Sequence, residues 1–152
     1  MALREDIAIL KGLSIFDGLE DEHLRLLAFG AERRRLERGH VLFREGAAAD
    51  SAFVVLQGQI RLTRNLPSGS DRVIGEAGPG SILTEIAMIS DAERHFTATA
   101  AVESEVLRIS RTLFHRMMAE YPEVAVATER RLRENFTRLT GSLAEATALL
   151  KR

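Results

Sequence analysis

Few side chains in this sequence could carry chemistry, and the absences are informative. There is no cysteine, which removes disulfides, thiolate metal sites, iron–sulfur clusters, cysteine nucleophiles and thiol redox sensing together. The four histidines, His23, His40, His95 and His115, are scattered without ligand spacing, and no His-x-His pair supplies the metal set of a cupin dioxygenase. There is no Gly-x-Ser-x-Gly nucleophile elbow, and Gly78-Pro79-Gly80 reads as a turn before a strand, not as a nucleotide-binding loop opening a βαβ unit. These absences argue against an enzyme. Glu85 lies at the acidic start of TEIAMIS (84–90), and Arg94 follows it nine residues later. From position alone they read as an acid at a helix start and a loop arginine. The run Arg33-Arg34-Arg35-Leu36-Glu37-Arg38 reads as a strand with a solvated face rather than as a nucleic-acid patch.

These residues need elements to position them. Asp17, Glu20, Asp21 and Glu22 lead into Leu24, Leu27 and Ala28 at helical spacing, with the acids suited to a helix N-terminus and Gly30 ending the helix. From residue 33 to 110 the texture changes to short β-type runs: VLF (41–43), AFVVL (52–56), QIRLTR (59–64), DRVIGEA (71–77), TATAAV (97–102) and SEVLRIS (104–110). Gly39, Gly46, Gly58, Gly69, Gly78 and Gly80 fall between runs, where positive φ or close approach is expected. About eight short strands at this spacing predict a barrel or jelly roll, interrupted by a two-turn helix at 84–90. Ser110 is a candidate N-cap for RTLFHRMMAEY, which Tyr121-Pro122 breaks. Beyond Pro122, Thr128, Leu132, Phe136, Leu139, Leu143, Ala146 and Leu150 form an apolar seam close to the heptad pattern. A helix reaching Leu150 would run about 40 Å at ~1.5 Å per residue, with a stripe that predicts pairing with a second copy.

A length of 152 residues, 45% hydrophobic and 28% charged, fits one globular domain. No apolar run approaches the ~20 residues that span a bilayer. The start MALREDIAILKGL lacks the uninterrupted apolar stretch of a signal peptide, so the expectation is a cytoplasmic protein with no membrane partner. A net charge of −1 provides no global field to attract nucleic acid.

Gly39, HVLFREG (40–46), Asp50-Ser51-Ala52-Phe53, VVLQGQIRLTR (54–64), GPGSILTEIAM (78–88) and SEVLRIS (104–110) occur in an order that resembles the cyclic-nucleotide-binding domain. The likeness is greatest to the effector domain of catabolite-activator and Fnr-type bacterial regulators, and it runs from about Leu13 to Leu139. It implies a mainly β fold with flanking helices, a double-stranded β-helix or jelly roll carrying a long C-terminal helix. Residues 1–152 then form a single domain, with a β-roll and its cassette over 12–110 and C-terminal helices over 111–152.

In such a cassette, free amides at a short helix N-terminus attract a cyclic phosphate. A glutamate accepts a ribose hydroxyl, and an arginine fork neutralises the phosphate oxygens. The family's Phe-Gly-Glu corresponds to Leu83-Thr84-Glu85, followed by Ile86 and Ala87, so Thr84 replaces the glycine. Aligning TAT (97–99) with the family's Arg-Thr-Ala-Thr would put Phe96 at the arginine position. The family's fifteen-residue interval to the isoleucine of the last strand, counted back from Ile109, puts Arg94 there instead. His95 then stands where Ser or Thr is usual, and Phe96 where a small residue is usual. The same register places Thr140, beside Leu139, as the polar residue that would touch the base, with Thr137 a weaker candidate.

The resemblance thus implies a non-enzymatic sensor with no cofactor, a cyclic nucleotide such as cAMP or cGMP or a related small anion as ligand, and a homodimer made through the C-terminal helix. The chain ends at Arg152, about where the family's DNA-binding domain begins, so direct DNA binding is not expected of it. The alternatives are a ligand-free dimerisation or scaffold domain, favoured by Thr84, His95 and Phe96, or the effector part of a truncated regulator. A haem-based sensor is a third reading, for which no axial ligand stands out.

Overall fold

The structure, a computed structural model, describes residues 2–122 and 124–134. An N-terminal helix α1 (Ala2–Lys11), a 3₁₀ turn (Ser14–Phe16) and α2 (Asp21–Gly30) precede the β-region. The strands are β1 (Glu32–Leu36), β2 (Val41–Phe43), β3 (Ala48–Ala49), β4 (Ser51–Gln57), β5 (Ile60–Asn65), β6 (Asp71–Ala77), β7 (Ile82–Leu83), β8 (Ala92–Glu93), β9 (Thr97–Ala100) and β10 (Ser104–Ser110), with a second 3₁₀ turn, Glu85–Met88, between β7 and β8. Helix α3 (Arg111–Glu120) follows, and residues 124–134 are helical. The rest of the expected long helix, including Leu139, Thr140, Leu143 and Leu150, lies outside the described residues.

Two four-stranded antiparallel sheets, in orders β1-β10-β4-β7 and β2-β9-β5-β6, face each other in a mainly β jelly roll, and β3 pairs with β8 in a small third ladder. Expected and observed strands correspond closely. The additional ones, β3, β7 and β8, are each two residues long. Gly58 makes the tight passage from the first sheet into the second. Its φ is +95°, and a β-carbon there would lie 2.6 Å from Ser104 Cβ, so only glycine fits this corner.

Strand β4 is buried along six of its seven residues, and its two faces serve different cores. Phe53 and Val55 join Leu36, Ile60, Ala77, Leu83, Phe96, Ala98, Ala100 and Val106 between the sheets. Ala52, Val54 and Leu56 pack outward with Leu107 and Ile109 against α1, α2, α3 and Met88. Leu132 is fully buried in that helical core, a contact contributing roughly 1.5–3 kcal/mol towards docking the C-terminal helix. The predicted cap is present: Leu113 N–H donates to Ser110 Oγ at 3.0 Å. Arg33 ties α1 to β1 and β10 through ion pairs with buried Asp6 and with Glu105.

One expectation is corrected. The two-turn helix at 84–90 is a single 3₁₀ turn, Glu85–Met88, entered from Thr84 at φ 59°, ψ 48°. The turn is too short for an α-helical ladder, closing through i→i+3 bonds from Ala87 N–H to Thr84 O and from Ile89 N–H to Ile86 O.

Candidate ligand-binding site

The strand β7 delivers Leu83 into the roll interior, paired with Phe53 of β4. Thr84 then turns the chain, and the 3₁₀ turn closes through Ala87 N–H donating to Thr84 O at 3.1 Å. Thr84 is the one non-glycine residue with positive φ among the described residues. It occupies the position where the resemblance called for glycine, so the backbone keeps the glycine-type conformation although the residue has changed. Glu85, Ile86 and Ala87 are all buried. Burial raises the Glu85 carboxyl above its ordinary value, while its own backbone N–H, bonded to the carboxylate, opposes the shift.

Arg94 is only 5% exposed. Its Nη1 donates to Ser51 O at 2.8 Å and its Nη2 to Ser51 Oγ at 3.2 Å. The guanidinium carbon lies 4.4 Å from the Phe43 ring centre and 5.2 Å from that of Phe53, both within cation–π range. Burial pulls its pKa down to about 10, opposed by the charge of Asp50 and reinforced by that of Arg108. Burial alone would raise the Asp50 carboxyl, but a 3.1 Å hydrogen bond from Arg108 and its positive charge outweigh that and hold it below its ordinary value. Glu85 and Arg94 do not pair with each other, and no carboxylate forms an ion pair with Arg94 among the described residues. The two charges are held separately, each buried.

The structure thus brings Leu83, Glu85, Ile86, Ala87, Arg94 and Phe96 to one end of the roll. Phe96 turns inward and packs 5.6 Å from Phe43, ring centre to ring centre, filling space where the resemblance expects a small side chain. His95, between two inward residues, is exposed. It lines an outer groove with Asp50, Ile86, Ser90, Asp91, Glu93 and Arg111, and neither Glu85 nor Arg94 lines that groove. Thr140 lies outside the described residues. The residues that sequence reasoning missed are Ser51, Phe43 and Phe53, which hold Arg94. Alternation along β4 puts Ser51 and Phe53 on one face, a signal obscured by the uniform apolar run around them. Arg111, at the first turn of α3, was missed as well. It donates to Ala87 O at 2.9 Å, to Ala49 O at 2.8 Å and to Asp91 at 2.9 Å, clasping the 3₁₀ turn to β3 and to the following helix.

Two apposed sheets, with a buried acid on a one-turn helix and a buried arginine following it, define a β-roll binding module. Residues 33–121 match the family described as the cyclic nucleotide-binding domain, and the chain belongs to that family. The chain is 30% identical over 129 residues to the cyclic AMP receptor protein of Thermus thermophilus, covering 82% of this chain and 60% of that protein. A cyclic nucleotide-binding-like protein from Brucella abortus is 45% identical, with a TM-score of 0.71 over 76% of this chain and 98% of the other. The N-terminal domain of a Streptomyces coelicolor transcriptional regulator is 27% identical with a TM-score of 0.78, over 89% of this chain and 94% of the other. The chain is therefore homologous to regulatory domains, and it spans less than two thirds of the curated relatives it matches, 60% and 61% of the first two. No helix among the described residues is long and apolar enough to cross a membrane.

Proposed function

We propose that this chain is a non-enzymatic sensor module that binds a cyclic nucleotide or related small anion through Glu85 and Arg94. The observation that carries the reading is Arg94: a buried guanidinium stacked on Phe43 and Phe53, bonded to neutral Ser51 and without a carboxylate of its own. A buried cation without a counter-ion is costly, and a ligand phosphate would supply the missing charge in a bidentate geometry. Glu85, beside the amides of the 3₁₀ turn, is the acceptor for a ribose hydroxyl. Arg111 links that turn to α3, so ligand binding there would bias the arrangement of the helices that follow. A homodimer formed through the apolar seam beyond Leu132 is the output that the sequence pattern favours.

The test is calorimetric titration of the full chain with cAMP and cGMP, repeated on Arg94→Ala. Binding that the substitution weakens about thirty-fold or more, the scale for removing a buried charge partner, supports the reading. No heat with either nucleotide, or unchanged affinity in the variant, refutes it. The second reading, a ligand-free dimerisation domain, draws on Thr84 and Phe96, which narrow the site. It is the outcome if no nucleotide binds.

A further inference from the structure

Among the described phenylalanines, Phe16, Phe53, Phe96 and Phe114 are buried and Phe43 is half-buried, but Phe29, near the end of α2, is 81% exposed. One turn earlier on the same face, Leu26 is 38% exposed. His23, in the first turn of α2, meets Tyr121 just past α3 at 4.3 Å, ring centre to ring centre. At the other end, a β-carbon on Gly30 would lie 2.5 Å from Leu113 Cδ1. The two helices are therefore antiparallel, with Leu26 level with Met117. Between them lies a groove of about 190 Å³. Leu26, Gly30, Leu113 and Met117 line its apolar part beside Phe29, and Arg116 and Glu120 line its polar part. An apolar cavity of ~150 Å³ holds benzene, so the groove has room for a phenyl side chain.

An exposed phenylalanine beside an apolar groove marks an interaction surface in a way that scattered surface leucines do not, and the rim charges select what fits it. Arg116 and Glu120 are exposed and one turn apart on α3, yet neither makes an ion pair among the described residues. At the same spacing, Glu129 and Arg133 pair at 3.0 Å. A partner of uniform charge would meet one of the two rim groups with its own sign. A second copy approaching across a two-fold axis meets both with the opposite sign. Where the facing α3 runs the other way, Arg116 lies beside Glu120 of the second copy, and Glu120 beside its Arg116. The axis then passes midway between residues 116 and 120, level with Met117 and Leu26. The two Leu26 side chains meet there, and each Phe29 is carried onto the facing groove.

We infer that this α2–α3 face pairs with the same face of a second copy. The contact is separate from the apolar seam beyond Leu132 and independent of the reading of Glu85 and Arg94. The test is sedimentation equilibrium of the full chain over a range of concentrations, in native form and as Leu143→Lys, which disables the C-terminal seam. Further substitutions are added to Leu143→Lys, and the fold of each variant is checked by thermal melting.

Leu143→Lys should still dimerise. Phe29→Asp should weaken that dimer about thirtyfold or more, the scale of an aromatic anchor at the centre of an interface. Arg116→Glu or Glu120→Arg alone sets like charges face to face twice across the axis and should weaken it roughly tenfold. The two together exchange the charges and should restore the affinity to within about threefold, which only a contact between copies of this face would do. A Leu143→Lys chain that is monomeric at every concentration overturns the inference, and leaves the face to a different protein or to residues 135–152 of the same chain. A dimer indifferent to Phe29→Asp, or a double charge variant no tighter than the single ones, overturns it as well.

Discussion

Replacing Thr84 with glycine tests whether the turn that presents Glu85 is held at an energetic cost. Thr84 sits at φ 59°, ψ 48° and its side chain makes no cap hydrogen bond to the turn it precedes, so little is lost with it. A left-handed conformation costs an L-residue roughly 1–2 kcal/mol. Glycine loses that penalty but gives back about 0.5–1 kcal/mol through the greater freedom of its unfolded chain. The net expectation is a stabilisation of about 0.5–1 kcal/mol, or a rise in Tm of about 1–4 °C for a chain of this size. Differential scanning calorimetry of Thr84→Gly beside Thr84→Ala provides the measurement. Alanine keeps a β-carbon on the same backbone and should leave Tm within about 1 °C of the native protein. A lower Tm in Thr84→Gly, or equal rises in both variants, would refute the reasoning. The glycine variant should also bind cAMP more tightly, since it reopens the approach of ligand to backbone.

Four further outcomes follow from the same structure. Because burial raises the Glu85 carboxyl above 4.5, its charged form opposes folding; wild-type stability relative to Glu85→Gln should fall as pH rises from about 4.5 through the raised value, and converge with it below, as urea titrations at several pH values would show. Arg94→Met removes a buried cation without an ion pair and should leave Tm unchanged or raised while abolishing nucleotide binding, a combination that marks the arginine as kept for ligand rather than for stability. Ser110→Ala should cost about 1 kcal/mol in chemical denaturation through loss of the bond to Leu113 N–H. Leu143→Lys should lower the mass measured by light scattering, and an unchanged mass would count against the dimer seam.

The strands were legible because β-branched and aromatic runs alternate with glycines, and the helix caps because Ser110 and the Tyr121-Pro122 step are local signals. The cassette turn was less so. The chain enters it through a left-handed backbone at Thr84, and that residue's type argues against the angle it adopts. Burial of Glu85 and Arg94 was also invisible locally, since it arises where β4, β7 and the segment before β9 converge. Phe53 and Ser51 could not be assigned to the site from SAFVVLQ because a strand buried on both faces has no polar alternation to reveal which side is which.

That doubly buried strand constrains how the protein can change over generations. In β4 the residues of the core between the sheets and those supporting the helices are consecutive, Phe53 beside Val54 and Val55 beside Leu56, so a new side chain between the sheets that shifts the strand also shifts the floor beneath α1 and α3. Since close-packed interiors tolerate little net change in volume, a lineage enlarging or shrinking position 53 must also adjust Val54 or the helix residues over it. The inter-sheet core and the helical layer are thus bound to drift together, and a swap of one without the other should yield a misfolded hybrid.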